Sequence, residues 1–133
     1  MEAEILQWLL SAETDLNVAQ HLFETYYPKP IEIICYHCQQ SAEKAIKALI
    51  LSMETGEGIP KKHDLSFLLQ QIKNRIAIPD AIYDCADTLT PYGVSVRYPN
   101  ELNLSEQNAK NAVLRAEQIL QWVKSNISYE TQQ

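Results

Sequence analysis

Glycine is scarce in this chain: three among 133 residues, Gly56, Gly58 and Gly93. So few argue against a turn-rich β-sandwich or a glycine-lined nucleotide loop, and point to long helices joined by few turns. No run of about 18 uninterrupted apolar residues occurs, so a membrane-spanning helix is not expected. Three cysteines are an odd count, too sparse for a disulfide framework. Basic residues are outnumbered, 11 Lys and Arg against 17 Asp and Glu, for a net charge of −6. That balance excludes a uniformly basic nucleic-acid coat but leaves room for a local basic site. Met1-Glu2-Ala3-Glu4 is acidic where a secretory signal would be basic, and the expectation is a cytoplasmic protein. GxSxG, HExxH, Walker and dinucleotide-binding patterns are missing as well. His21, His37 and His63 are scattered without metal-ligand spacing, so neither a metal nor another cofactor is expected.

What is present is ordinary globular material, 46% hydrophobic and 21% charged, enough for one core. The expectation is one helical domain over residues 1–127 and a polar, frayed tail over 128–133. Ile5, Leu9, Ala12, Leu16, Ala19 and Phe23 are spaced 4, 3, 4, 3, 4, which keeps them on one helix face. Leu6, Trp8, Leu10, Val18 and Leu22 lie off that stripe, giving the first helix apolar surface for two neighbours. Tyr26-Tyr27-Pro28-Lys29-Pro30 ends it. A second helix is predicted from Pro30 or Ile31 to Glu54, its stripe being Ile34, Cys38, Ala42, Ala45 and Leu49. The small residues in its middle admit a close neighbour, and Gly56 and Gly58 stop it. A third helix follows Asp64, with Leu65, Leu68, Leu69, Ile72 and Ile76 inward. A fourth opens near Asp80, and Pro91 and Gly93 make Tyr92 to Asn100 kinked or irregular. Ser105 caps the last helix, whose inward face runs from Ala109 to Ile127.

Four groups of residues are candidates for chemistry. Cys35-Tyr36-His37-Cys38 is a CxxC, but it falls inside a helix pattern on the apolar side, so packing is preferred over a metal or redox role. Tyr36, Gln40, Glu43 and Lys47 form a polar stripe on the opposite face of the same helix, with Glu43 and Lys47 at ion-pair spacing. A solvated face is its simplest reading, and a supporting role in a binding site is the other. Lys61-Lys62-His63-Asp64 reads equally as an anion site at a helix N-terminus and as a capping loop with solvated lysines. Arg97-Tyr98-Pro99 offers a guanidinium for phosphate and an aromatic face for a base. It sits on an irregular segment of a helical scaffold, where function tends to collect.

Together these pieces resemble a family. Cys35-Tyr36-His37-Cys38-Gln39-Gln40-Ser41-Ala42-Glu43-Lys44-Ala45-Ile46-Lys47-Ala48-Leu49 looks like the second-helix signature of prokaryotic HEPN domains. His63-Asp64-Leu65 with Leu68-Leu69, then Arg97-Tyr98-Pro99 before a capped amphipathic helix, resemble the next segments in the family's order. The resemblance covers nearly the whole chain. It implies an all-α, up-and-down bundle of four to five helices, a homodimer, and a minimal nucleotidyltransferase partner in a toxin–antitoxin-like or nucleotide-handling pair. Many family members are metal-independent ribonucleases with an arginine and a histidine four to six residues apart. This chain has no histidine downstream of Arg97, and neither Arg75 nor Arg115 has one at that spacing. The expectation is therefore a non-catalytic nucleotide- or RNA-binding module, with no DNA or membrane partner. Arg97, Tyr98, Lys61, Lys62 and His63 would hold phosphate, and Tyr36, Gln40, Glu43 and Lys47 would support them. The competing expectations are a ribonuclease toxin that uses His63 with Arg97, and a purely structural adapter.

Overall fold

The computed structural model describes residues 2–53, 58–93 and 103–127. Among them are five α-helices and no strand: α1 (Ala3–Thr25), α2 (Ile31–Ser52), α3 (Leu65–Gln70), α4 (Asp80–Leu89) and α5 (Glu106–Asn126). A 3-10 turn, Thr90–Gly93, follows α4. The architecture is an all-α up-and-down bundle.

α2 is the central helix, packed mainly against α1 and α5. Trp8 meets Lys47 while Asp15 meets His37, so α1 and α2 run antiparallel. Glu13 pairs with Lys124 and Gln20 with Glu117, so α1 and α5 are antiparallel too. α2 is buried on most of its circumference, from Ile34 to Ile50. Ser41, Ala42, Ala45 and Ala48 let neighbouring backbones approach closely. Ser41 Oγ uses that proximity to donate a hydrogen bond to the Ala12 carbonyl at 2.7 Å. The α1 stripe is buried as the spacing requires, apart from half-buried Phe23 at its end. α1 does contact both α2 and α5, but Leu6, Leu10 and Val18 stay exposed rather than joining either seam.

The ends of the helices differ from the sequence expectation by small, explicable amounts. α2 ends at Ser52, not Glu54, and Gly58 has φ of 75°, a conformation that favours glycine. α3 has only six residues. Beyond it the backbone tightens to i→i+3 bonds, Gln71 to Leu68, Ile72 to Leu69 and Arg75 to Ile72, which carry Ile72 into the core and leave Ile76 half-buried. Thr90 ties the end of α4 to the start of α3: its hydroxyl donates to the Ala86 carbonyl at 2.8 Å and accepts from the Leu65 amide at 3.1 Å. α5 opens on a reciprocal cap, in which Ser105 Oγ accepts from the Asn108 amide and Asn108 Oδ1 from the Ser105 amide.

Candidate functional site

The polar stripe of α2 is not a solvated face. Glu43 and Lys47 are buried, with side chains 7% and 9% exposed, and Tyr36 and Gln40 are half-buried. The helical spacing is as expected; what covers it is not local. The chain leading into α3 crosses this side of α2 at His63, and Trp8 of α1 closes it near Lys47.

Glu43 is the hub. Its Oε2 accepts from Lys47 Nζ at 2.8 Å and its Oε1 from Gln39 Nε2 at 2.9 Å. His63 Nδ1 lies 3.0 and 3.1 Å from the two carboxylate oxygens. Burial pushes the Glu43 carboxyl up. Hydrogen bonds from Lys47, Gln39 and His63, with the charge of Lys47, outweigh that and hold it below the usual carboxylate range. An ionised carboxylate only accepts, so the proton of a neutral His63 sits on Nδ1 and Nε2 is the basic nitrogen. The His63 side chain is 74% exposed. The result is an imidazole held from beneath and presented to solvent, with exposed Lys61 and Lys62 just before it in the chain.

Gln39 completes the arrangement and is the residue sequence reasoning missed. It is fully buried, donates to both Glu43 and the His63 carbonyl (3.2 Å), and accepts from Gln40 at 2.7 Å. A Cβ on Gly93 would come within 2.7 Å of Gln39 Cδ, so a larger residue there would displace the hydrogen-bonded amide. The only signal in the sequence was a glutamine next to Cys38 of the apolar stripe. A second missed cluster is Asp15, buried in α1, which takes Lys44 Nζ at 2.7 Å and His37 Nδ1 at 3.0 Å.

The remaining candidates separate clearly. Asp64 is a cap, its side chain accepting from the Phe67 amide at 3.2 Å. With the Leu65 amide also taken by Thr90, two amides of the first turn of α3 already have partners. Anion binding here would rest on side chains rather than on the helix end. Lys62 lies over the Phe67 ring at 5.8 Å. Cys35 and Cys38 are fully buried in the core. Burial, with a smaller contribution from Glu32, pushes the Cys35 thiol up to about 12, and burial raises Cys38 further. Such thiols pack as small hydrophobes and supply no thiolate. Among the described residues no group of three or more His, Cys, Asp or Glu side chains is placed to hold a metal ion, and no helix is long and apolar enough to cross a membrane. Arg97 and Tyr98 lie outside the described residues.

Fold and site define a small helical bundle whose central helix holds an exposed histidine through a buried carboxylate. Three solved structures share the fold of the bundle. A protein of Thermus thermophilus superposes with a TM-score of 0.81 at 22% identity, covering 95% of this chain and 100% of that one. An archaeal HEPN homologue gives 0.76 at 28% identity, over 96% and 100% of the two chains. An HEPN domain protein of Thermotoga maritima gives 0.71 at 25%, over 90% and 95%. No curated protein matches the chain. The HEPN domain model matches residues 5–126, and the chain belongs to the HEPN domain family.

Proposed function

We propose that this HEPN-family protein is a non-catalytic module that binds the phosphates of a nucleotide or RNA, as a homodimer acting with a minimal nucleotidyltransferase. The observation that supports it is the exposed His63 ring held on buried Glu43 next to Lys61 and Lys62. Two ammonium groups and an imidazole on one short segment suit an anion, and the carboxylate beneath fixes which way the ring faces. Arg97 would add a bidentate phosphate contact and Tyr98 a face for a base. The transferase partner and the pairing of two copies rest on the family resemblance of the α2, His63 and Arg97 segments.

Binding of a fluorescein-labelled oligoribonucleotide, followed by anisotropy over a range of salt, tests the reading. Arg97→Ala should weaken affinity about tenfold or more, the worth of a hydrogen bond to a charged group. Lys61→Ala/Lys62→Ala should flatten the salt dependence by about 0.7 for each phosphate no longer neutralised. Unchanged affinity in folded variants refutes the assignment. Co-purification from the native host tests the partner.

A second reading is favoured by one feature, the His63 Nδ1 contact to Glu43. It leaves Nε2 basic, as in a general acid–base histidine oriented by a carboxylate. A metal-independent ribonuclease of this kind would cleave RNA in the presence of a chelator, leave 2′,3′-cyclic phosphate ends, and lose activity with either His63→Ala or Arg97→Ala. Intact RNA at high protein concentration dismisses it.

A further inference from the structure

We propose that Arg115, with the amides of Asn111 and Gln118, forms an oxyanion site on α5 that takes a phosphate with three free oxygens, as carried by a nucleotide or by the end of an RNA strand. It is a second site, on a different helix from the His63 network. Asn111, Arg115 and Gln118 are spaced 4 and 3, so their side chains are neighbours on one side of α5. Arg115 is half-buried and reaches across the seam to α4, where its Nη1 donates to Cys85 Sγ at 3.8 Å. Sulfur is a weak acceptor, and this is the only hydrogen bond that the guanidinium makes among the described residues. Its Nε is buried and has no partner. Arg115 also enters none of the ion pairs among those residues. An arginine does not shed its proton, so the bundle keeps a half-buried positive charge that no carboxylate touches.

The surroundings narrow the ligand. The two acids of α5 are engaged on other elements, Glu117 with Gln20 and Glu106 with Lys29. Exposed Asp84 is near enough to act on the Cys85 thiol through its charge but makes no ion pair with Arg115. Asn111 is half-buried and Gln118 exposed, and neither amide has a hydrogen-bond partner among the described residues. A guanidinium fork alone satisfies the two oxygens of a carboxylate, or the two free oxygens of a phosphodiester. Either ligand leaves both amides idle. A phosphomonoester brings a third free oxygen to them and carries more negative charge at neutral pH. The donor set therefore suits a terminal phosphate better than an acidic side chain or an internal phosphate. The weak bond to Cys85 is readily exchanged for a charge-assisted one.

Arg75, Arg97 and Arg115 are the three arginines, so Arg115→Lys assigns the Arg115 Nε signal in nitrogen-resolved NMR spectra. A 5′-phosphorylated oligoribonucleotide should shift that signal saturably. The same strand with a 5′-hydroxyl should bind about tenfold more weakly, and Arg115→Lys should erase the difference by weakening the phosphorylated strand alone. Gln118→Ala, at an exposed position, should shrink the difference without changing the fold. Inorganic phosphate and adenosine monophosphate should move the same signal. A nucleotide that binds as tightly as the strand marks the mononucleotide as the source, and a tighter strand marks an RNA end; both support the site. Arg115→Met should leave the Tm unchanged or higher, since it removes an unpaired buried donor. A lower Tm makes the guanidinium a packing group and overturns the premise. Equal affinity for the two strands overturns the site and leaves the His63 reading standing, because that reading concerns the binding both strands share. A glutamate-rich peptide that moves the signal at lower concentration than the phosphorylated strand overturns it also, in favour of a protein partner.

Discussion

Replacing Glu43 with glutamine keeps the shape of the hub and removes its charge. Lys47 then remains where its side chain is 9% exposed, facing a neutral amide. Removing one partner of a buried ion pair costs about 3–5 kcal/mol. Lys47 keeps the face of Trp8, a contact worth about 0.5–2 kcal/mol, and the glutamine oxygen still accepts one hydrogen bond. The expected loss is therefore about 2–3 kcal/mol, a large part of the 5–15 kcal/mol, roughly, that such a domain has in total. It should appear as a Tm lower by roughly 6–12 °C and a lower urea midpoint with unchanged m. Glu43→Gln/Lys47→Met should recover most of the loss, because no charge is then left buried alone. His63→Ala should cost under about 0.5 kcal/mol, since that side chain is 74% exposed. The pH dependence has a defined sign. Glu43 titrates lower in the fold than its unfolded value of about 4.3, so its contribution is complete above that value and disappears as pH falls through the folded one. The gap between wild type and Glu43→Gln should be full near neutrality and close in acid. Equal stability at neutral pH, or a gap that widens toward acid, refutes the reasoning.

Gly93→Ala should cost about 1–3 kcal/mol through overpacking, because the new Cβ meets Gln39 Cδ at 2.7 Å; in thermal melts, combination with Gln39→Ala should be less than additive. Ser105→Ala removes the α5 cap and should lower stability by about 1 kcal/mol, read from the urea midpoint. Cys35, Cys38 and Cys85, all buried and with thiols raised chiefly by burial, should resist a disulfide reagent in the native protein and react in denaturant. Rapid modification of the folded chain would contradict that burial.

How much of this was legible in sequence depends on the range of the contacts involved. The inward face of α5 and its Ser105 cap follow from local pattern, because both are set within a few residues. The CxxC could be placed in the core because its helical phase matched Ala42, Ala45 and Leu49. The burial of Glu43 and Lys47 could not be read, since their cover is His63, 20 residues on, and Trp8, on another helix. Nothing local marks Gln39, whose partners include the His63 carbonyl, 24 residues on, and whose amide lies against Gly93. Asp15 was hidden for the same reason, its partners Lys44 and His37 lying across the α1–α2 seam.

Stability alone does not account for the α2 network. Exchanging a buried ion pair for apolar side chains of similar volume is often neutral or favourable, and α2 already packs on α1 and α5 through apolar faces. What the network does that leucine could not is hold one exposed residue at two points. Gln39 bonds the backbone carbonyl of His63 while Glu43 bonds its ring. Lys47 neutralises the carboxylate that does so, and Gly93 leaves room for the amide. Four separate chemical choices therefore converge on the orientation of a single imidazole. That predicts a specific pattern: Gln39→Ala and Glu43→Gln should each broaden the His63 ring signals in NMR spectra and weaken RNA binding. A substitution in the Asp15 cluster, such as Lys44→Met, should affect stability without either change.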